Sequence, residues 1–352
     1  MRRLNAHVSS TVGASILLVL VVILGLDIIA ALVDESKAIK GSYTFLAALR
    51  YVMLSIPGSI YGYLPFASLV GCLAGLGVLA NSSELVVIRS AGISIGRIVW
   101  MVMRPTFMIM LVGVAISEYV APHTESIAQS EKAIALRTKD VVSRYGLWHR
   151  EGNQFMHFNV VQANGKLFGI SIYEFDDERR LKRTVSAERA IYQGRNWLLE
   201  DVSQSFFAAD HIEKKSYSSL DWPMELSPEL LNILILDPMD LSIQGLWQYA
   251  NYLHEQNLNG GSYELAFWKK VLQPLSTFSL VLIAISFIFG PLRQVTMGFR
   301  IFTGVLVGIV FRTAQDMLVP ASLVYGFAPI YASLVPILVC SFFGLFLLQR
   351  AR

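Results

Sequence analysis

Charged side chains inside long apolar stretches are the residues of this sequence whose type and position could do chemistry. Arg312 and Asp316 stand four positions apart in one such stretch, so on a helix they share a face and can pair. Asp27 lies in another stretch, with no evident partner. A charge within a spanning helix is costly and usually faces a cavity or a neighbouring helix. Each of these residues is therefore either part of a neutralised structural contact or part of a cavity lining.

Sequence motifs of the common enzyme classes are missing. The chain has no G-x-x-x-x-G-K-[ST], H-E-x-x-H or G-x-S-x-G segment, and its six histidines do not have metal-ligand spacing. Cys72 and Cys340 both lie in apolar runs, which argues against a disulfide or a zinc site. The basic residues form no continuous patch, so nucleic-acid binding has no support. We predict no catalytic residue, no metal site and no cofactor in this chain.

The composition is typical of a membrane protein. Of the 352 residues, 54% are hydrophobic and 16% are charged, and the mean hydropathy is +0.51. The first apolar stretch is longer than a signal-peptide core, and no small-residue cleavage site follows it, so we predict a transmembrane helix there. Six windows are long enough to cross about 30 Å of hydrocarbon. They are approximately 13–33, 54–80, 98–120, 268–290, 297–319 and 328–348.

The short loops predict an orientation. With a cytoplasmic N-terminus, the inside segments carry eight basic residues against the single acid Glu84, a strong positive-inside bias. The basic residues are Arg2, Arg3, Arg89, Arg97, Arg293, Arg300, Arg350 and Arg352. Lys269 and Lys270 run against the rule, but they adjoin a large translocated domain and weigh little. Both termini are therefore predicted in the cytoplasm.

Residues 122–266 are predicted as one domain on the opposite side, inserted between helices 1–3 (residues 1–121) and helices 4–6 (residues 267–352). Its centre, about 144–225, contains short β-branched and aromatic segments and predicts an all-β, jellyroll-like domain. The segments are approximately 146–150, 154–162, 166–175, 183–193, 196–208 and 214–222, with hairpin turns at Asn164-Gly165 and Gln193-Gly194. Helical links flank it: Glu125 to Val142 before, and 241–257, capped by Asp240, after.

The cytoplasmic connection at about 82–92 predicts a short amphipathic helix that ends at Gly92. Its apolar residues exceed what a solvated loop needs. Two readings of Glu84 are open. It forms a capping box with Asn81, or it acts with Arg89 as a polar anchor when the helix docks into a cleft on a cytoplasmic partner.

An ordered set of short segments resembles the LptF/LptG family of lipopolysaccharide export permeases, and the LptG branch more than the LptF branch. The segments cover essentially the whole chain, and the ordered set is specific although each segment alone is weak. They are Ser83-Glu-Leu-Val-Val-Ile-Arg-Ser-Ala-Gly92, Glu118-Tyr-Val-Ala-Pro122, Gly146-Leu-Trp148, Leu236-Asp-Pro-Met-Asp-Leu-Ser-Ile-Gln-Gly245, Leu272-Gln-Pro-Leu275, Ser286-Phe-Ile-Phe-Gly-Pro-Leu-Arg293 and Leu323-Val-Tyr-Gly326.

The resemblance implies a fold and a mechanism. The fold is six transmembrane helices with a periplasmic β-jellyroll, in the inner membrane of a Gram-negative bacterium. The partners are an LptF-like permease, a dimer of an LptB-like ATPase that binds ATP and Mg, and an LptC-like bitopic protein. ATP binding would close a central cavity and drive lipopolysaccharide into the jellyrolls, with helices one and five at the lateral gate. The ATPase would dock on Ser83, Glu84, Arg89 and Gly92.

The substrate implied by the family carries acyl chains and acidic phosphates, so it needs an apolar cavity with cations at its upper rim. Lys37 and Lys40 follow the first helix, and Lys132 lies just beyond the third. The resemblance associates Lys37 and Lys132 with the head group, whereas interfacial snorkelling explains Lys37 and Lys40 equally well. The family often has a further lysine where this chain has Ala30, and Arg312 is a possible replacement that would meet a phosphate.

Two points stay open in the sequence. Alternation places aromatic and β-branched side chains inside the β domain, where they are either acyl-chain contacts or ordinary core: Phe155, Phe158, Phe168, Ile170 and Ile172. The alternative function is a membrane-anchored assembly or signalling protein whose β domain binds a protein. A lipid-modifying membrane enzyme is disfavoured, because no acid–base or metal constellation accompanies the helices.

Overall fold

The computed structural model describes residues 2–39, 43–136, 147–161, 166–194, 196–207, 211–224, 228, 237–255, 260–290 and 295–350. Six helical spans in it are long and apolar enough to cross a membrane, which confirms the predicted number. They are Arg3–Ser36, Phe45–Asn81, Ile95–Lys132, Gly261–Phe289, Met297–Tyr325 and Pro329–Arg350. All but the last begin or end several residues beyond the predicted windows. The helices continue into polar turns, and a window chosen by hydrophobicity does not include those turns.

The helices and strands follow in chain order, and the helical bounds are these: α1 Arg2–Ser36, α2 Phe45–Asn81, α3 Glu84–Ser90, α4 Ile95–Ala115, a π-helical turn Ile116–Val120, α5 Ala121–Ala135, α6 Ile243–Glu255, α7 Gly261–Phe289, α8 Met297–Tyr325 and α9 Pro329–Arg350. The helical link predicted from Glu125 is therefore a continuation of the third span. Its predicted end at Val142 lies outside the described residues.

The π-helical turn allows the third span to continue past Pro122. In a regular helix the proline ring clashes with the carbonyl four residues earlier, here that of Glu118. The wider turn Ile116–Val120 covers this carbonyl and relieves the conflict. It also turns the Glu118 side chain towards a later helix, as described below.

Helices α1 and α2 pack at close range in the half of the bundle that contains α3 and the start of α1. A Cβ on Gly71 would lie 2.5 Å from the Ile16 Cα, and one on Gly75 would lie 2.9 Å from the Val12 Cα. Small residues permit such backbone approach between membrane helices. The second half of α1, from about residue 17 to residue 33, exposes a continuous apolar face: Leu17, Leu18, Val21, Val22, Leu26, Ile29 and Val33. The second half of α1 thus has one face against the bundle and one apolar face that no described residue covers.

The inserted domain is an antiparallel sheet, which confirms the all-β prediction. Its strands pair in the order β1-β2-β3-β4-β5-β6, so the described part is a meander. The jellyroll arrangement itself stays a prediction. The strands are β1 Leu147–Glu151, β2 Gln154–Val161, β3 Lys166–Phe175, β4 Leu181–Tyr192, β5 Trp197–Phe207 and β6 Ile212–Trp222.

The predicted hairpin at Gln193-Gly194 is present, since the Gln193 N–H donates to the Asn196 carbonyl at 2.9 Å and Gly194 has φ +91°. The other predicted hairpin, Asn164-Gly165, lies outside the described residues. One face of the sheet forms a buried core.

Of the five side chains predicted to lie inside, Phe158, Ile170 and Ile172 are in the core. Phe155 packs edge-to-face on Phe175 instead and is 37% exposed, and Phe168 is half-buried. The prediction was wrong for Phe155, because it stands three positions from Phe158 and strand alternation puts the two on opposite faces.

Candidate functional sites

Helix α3 is amphipathic and is anchored by one face only. It follows Ser83, whose backbone is left-handed (φ 61°), and it is followed by Gly92 with φ +79°. Leu85 and Ile88 are buried in the bundle, whereas Val86 and Val87 are 56% and 64% exposed. The predicted helix is therefore present, and it presents two apolar side chains outward from a fixed base.

The capping-box reading of Glu84 is wrong. Asn81 is the last residue of α2, and Ser83 is the N-cap residue of α3 without a side-chain cap. The Glu84 carboxylate instead accepts from the Ser82 hydroxyl at 2.9 Å and contacts the His7 Nε2 of α1 at 2.8 Å. The hydrogen bond from Ser82, and then that from His7, lower the pKa of Glu84. Glu84 is thus an ionised, partly exposed group that ties α3 to the start of α1.

Two arginines attach the same end of the bundle to later helices. The guanidinium of Arg89 lies over the Phe289 ring at 5.9 Å, at the end of α7. Arg300, in the first turn of α8, is 2% exposed and donates to the Gly77 carbonyl at 3.2 Å. Sequence reasoning used Arg300 only as a topological charge and missed this contact. Arg300 lies in the first turn of a helix, close to a predicted loop, and nothing in the sequence therefore indicated that it is buried.

A polar cavity of about 340 Å³ lies among α2, α7, α8 and the segment before α6. It brings together Arg312 and Asp316, as the sequence predicted, and adds Lys269 and Lys270 of α7 and Asp240. Other polar groups in its wall are Ser59, Tyr63, Ser117, Gln273, Ser276 and Gln315. The cavity therefore gathers charged side chains from α7, α8 and the segment before α6.

The ion pairs in the cavity leave Arg312 only loosely engaged. The Lys269 Nζ donates to the Asp316 carboxylate at 2.9 Å, whereas the Arg312 Nε is 3.6 Å from the other carboxylate oxygen. Arg312 also lies 5.7 Å from the centre of the Tyr63 ring, and its side chain is 65% exposed. A guanidinium has five N–H donors, so most of those of Arg312 remain able to bind an anion.

Asp27 has partners that the sequence did not reveal. Its carboxylate accepts from the Tyr63 hydroxyl at 2.6 Å and from the Ser59 hydroxyl at 2.9 Å, both on α2. Tyr63 thereby links Asp27 to Arg312 across the cavity wall.

On the opposite wall Asp240 is half-buried. This burial, followed by the negative charges of Glu125 and Asp237, raises the pKa of Asp240 to about 6.

The predicted rim lysines differ in environment. Lys132 is 19% exposed and donates to the Glu35 carboxylate at 2.5 Å, while the Tyr43 hydroxyl donates to the other oxygen of Glu35 at 2.9 Å. Lys132 also lies over the Tyr51 ring at 4.3 Å. Lys37 is exposed and pairs with Asp34 at 2.8 Å. Lys40 lies outside the described residues.

The buried pair supports a testable prediction. Lys132→Ala leaves the Glu35 carboxylate without a counter-ion, so we expect the free energy of unfolding to fall by about 3 kcal/mol. Lys37→Ala is the matched control, with an expected change below about 0.5 kcal/mol. Thermal unfolding in detergent measures both. A Lys132→Ala chain that unfolds like the wild type but loses substrate cross-links would favour the head-group role over the structural one.

Glu118 holds the helix that leads from the β domain back to the membrane. Its carboxylate accepts from the backbone N–H groups of Ile243 at 2.8 Å and Gln244 at 3.2 Å. The Ser242 hydroxyl accepts from the Gly245 N–H at 2.9 Å. The predicted N-cap residue, Asp240, was therefore wrong by two residues. The free N–H groups at the start of α6 are satisfied by Ser242 and by the Glu118 carboxylate of the π-helical turn.

The architecture and the cavity define the class of protein. Six spanning helices with a polar cavity among them, and a sheet domain inserted at mid-chain, are the design of a multi-pass membrane permease. The chain belongs to the LptF/LptG family, since the family model described as "Lipopolysaccharide export system permease LptF/LptG" matches residues 7–350.

Two relatives narrow the class further. The lipopolysaccharide export system permease protein LptG of Escherichia coli strain K12 is 37% identical over 99% of this chain and 98% of its own length. The protein of the same name from Haemophilus influenzae is 35% identical over 99% of each chain. The chain is a lipopolysaccharide export permease subunit of the LptG type.

Proposed function

We propose that this chain is one half of a two-permease extractor, paired with an LptF-like chain and driven by a dimer of an LptB-like ATPase. ATP and Mg would bind to that ATPase, and an LptC-like bitopic protein would contribute a further helix. The assembly would lie in the inner membrane of a Gram-negative bacterium, with both termini in the cytoplasm and the β domain in the periplasm. The arginine-rich loops support this orientation.

The shape of α3 is the observation that carries the ATPase proposal. A seven-residue helix with Leu85 and Ile88 buried would transmit force to the bundle, while Val86, Val87 and the ionised Glu84 would form the surface that enters a cleft on a partner. From there the Glu84–His7 contact leads to α1 and the Arg89–Phe289 contact leads to α7. One docking event could therefore move two walls of the bundle.

The family supports pairing with a second permease, for which the exposed apolar face on the second half of α1 is available. A lone anchor needs no cavity lined by charged side chains, so the cavity counts against the anchoring or signalling alternative. In the proposed cycle the cavity holds the phosphates of the substrate through Arg312 and Lys269. Lys37, Lys40 and Lys132 would meet the head group at the rim, and the sheet core would accept acyl chains.

Co-purification tests the proposal. The tagged chain is extracted from its native membrane in mild detergent, and the proteins that elute with it are identified by mass spectrometry. We expect a second six-helix permease and a soluble ATPase with a phosphate-binding loop. Elution of the chain alone, or with periplasmic proteins and no ATPase, would contradict the extractor and favour the anchoring function.

A further inference from the structure

Arg104 is a membrane-embedded cation for which the proposed transport cycle has no use. It lies in the third span, Ile95–Lys132, and its side chain is exposed on the outer surface of the bundle. Among the described residues it has no ion-pair or hydrogen-bond partner. An arginine is always protonated in a protein, and a guanidinium facing lipid is costly unless an anion or water neutralises it.

The height of Arg104 in the membrane follows from its neighbour Pro105. A Cβ on Gly13 would lie 3.4 Å from the Pro105 Cβ, so Arg104 is level with the start of the apolar run of α1. Arg97 lies seven residues nearer the start of α4, and is therefore about 10 Å closer to the membrane surface on that side. Arg104 therefore lies near the edge of the hydrocarbon on the side of α3, six residues inside the predicted window 98–120, and its long side chain can extend to the lipid phosphates.

A groove beside Arg104 has the size and lining of an acyl-chain site. Its volume is about 480 Å³, and it is lined by Trp100, Met103, Arg104, Phe107 and Phe278. Phe107 of α4 stacks on Phe278 of α7 with ring centres 6.2 Å apart. Phe107 stands one turn deeper than Arg104, and Trp100, which is 73% exposed, stands one turn nearer the surface. Tryptophan is favoured at such membrane interfaces.

We propose that Arg104 and this groove bind an anionic phospholipid of the leaflet that faces α3. The phosphate would accept hydrogen bonds from the guanidinium, with the indole of Trp100 at head-group depth and an acyl chain along Phe107 and Phe278. A phospholipid suits the site better than an acidic residue of a partner helix. The cation lies nearer the membrane surface and the apolar groove lies deeper, as the head group and acyl chain of a lipid do. The leaflet is the cytoplasmic one in the proposed orientation.

Native mass spectrometry of the complex, incubated with equal amounts of phosphatidylglycerol and phosphatidylcholine, tests the site. We expect about fivefold more retained phosphatidylglycerol, and loss of that preference in Arg104→Gln. Arg104→Lys keeps the charge and should keep the preference. Arg97→Gln is the matched control, since Arg97 is an exposed arginine of the same helix without the groove. Equal retention of the two lipids, or equal effects of both glutamine variants, would overturn the proposal.

Quenching of Trp100 fluorescence by brominated lipids locates the site independently. The signal is the difference between the wild type and Trp100→Phe in vesicles. We expect stronger quenching by brominated phosphatidylglycerol than by brominated phosphatidylcholine at equal mole fraction. Equal quenching by the two lipids would show that Trp100 and Arg104 lie at the interface without selecting a lipid, which contradicts the proposal. A photo-cross-linker at position 100 that captures a protein helix would show a partner contact, which also contradicts it. Neither readout depends on transport, so failure here is distinct from failure of the extractor.

Discussion

Glu84→Ala should produce a chain that inserts and folds but no longer drives transport with its ATPase. The carboxylate is partly exposed, and within the described part of the chain its hydrogen-bond partners are Ser82 and His7, so its loss costs the fold little. At a docked interface it would meet a cation or backbone donors, where truncation of a charged partner costs about 2–5 kcal/mol. We expect at least a tenfold fall in recovered ATPase or in lipopolysaccharide release per ATP hydrolysed.

His7→Ala separates docking from internal structure. If Glu84 serves only to hold α1, removal of its α1 partner must be as damaging as removal of Glu84 itself. If Glu84 serves the ATPase, His7→Ala retains most ATPase binding while Glu84→Ala does not. Equal effects of the two variants on ATPase recovery, or full growth complementation by Glu84→Ala, would contradict the docking role.

The sequence was a good guide wherever hydrophobicity alone decides the structure. The six spans follow from the cost of exposing backbone polar groups to lipid, which forces long helices out of long apolar runs. Strand segments with hairpin signals gave all six strands to within about two residues. Helix α3 was recognisable because four consecutive apolar residues, Leu85 to Ile88, are unusual in a solvated loop.

The predictions that failed depend on contacts between residues far apart in the chain. Glu118 meets Ile243 across more than a hundred residues, and no local pattern indicates that α6 takes a cap from another helix. The head-group role of Lys132 stays a prediction, but nothing in the sequence indicated its burial against Glu35 and the Tyr51 ring, which belong to other helices. Local rules fix which element forms, whereas the neighbours of a polar side chain are set by packing.

The same limit applies to the cavity. Spacing alone predicted the Arg312–Asp316 pair, and the two residues do face each other. The stronger contact of Asp316 is with Lys269, on a different helix, and this changes the interpretation of Arg312. It is no longer one half of a neutral pair but the less engaged of two cations that share one carboxylate.

Arg312→Ala should therefore weaken substrate binding without unfolding the chain. Hydrogen bonds to charged groups contribute about 1.5–3 kcal/mol, so we expect a fall of about tenfold or more in lipopolysaccharide photo-cross-linking from a probe in the cavity. Arg312→Lys keeps the charge but loses the paired donors, and we expect an intermediate yield. The measurement is cross-link yield per folded chain, with elution in detergent as the check on folding.

Asp316→Asn decides between the two roles of Arg312, because they predict opposite signs. In a structural pair, loss of either partner leaves the other unpaired, so Asp316→Asn should impair folding and cross-linking as Arg312→Ala does. In an anion site, Asp316 competes with the substrate phosphate for Arg312 and Lys269, so its neutralisation should leave the yield unchanged or raise it. Parallel losses in both variants would return Arg312 to a structural role. Opposite changes would identify the carboxylate as the group that the phosphate displaces.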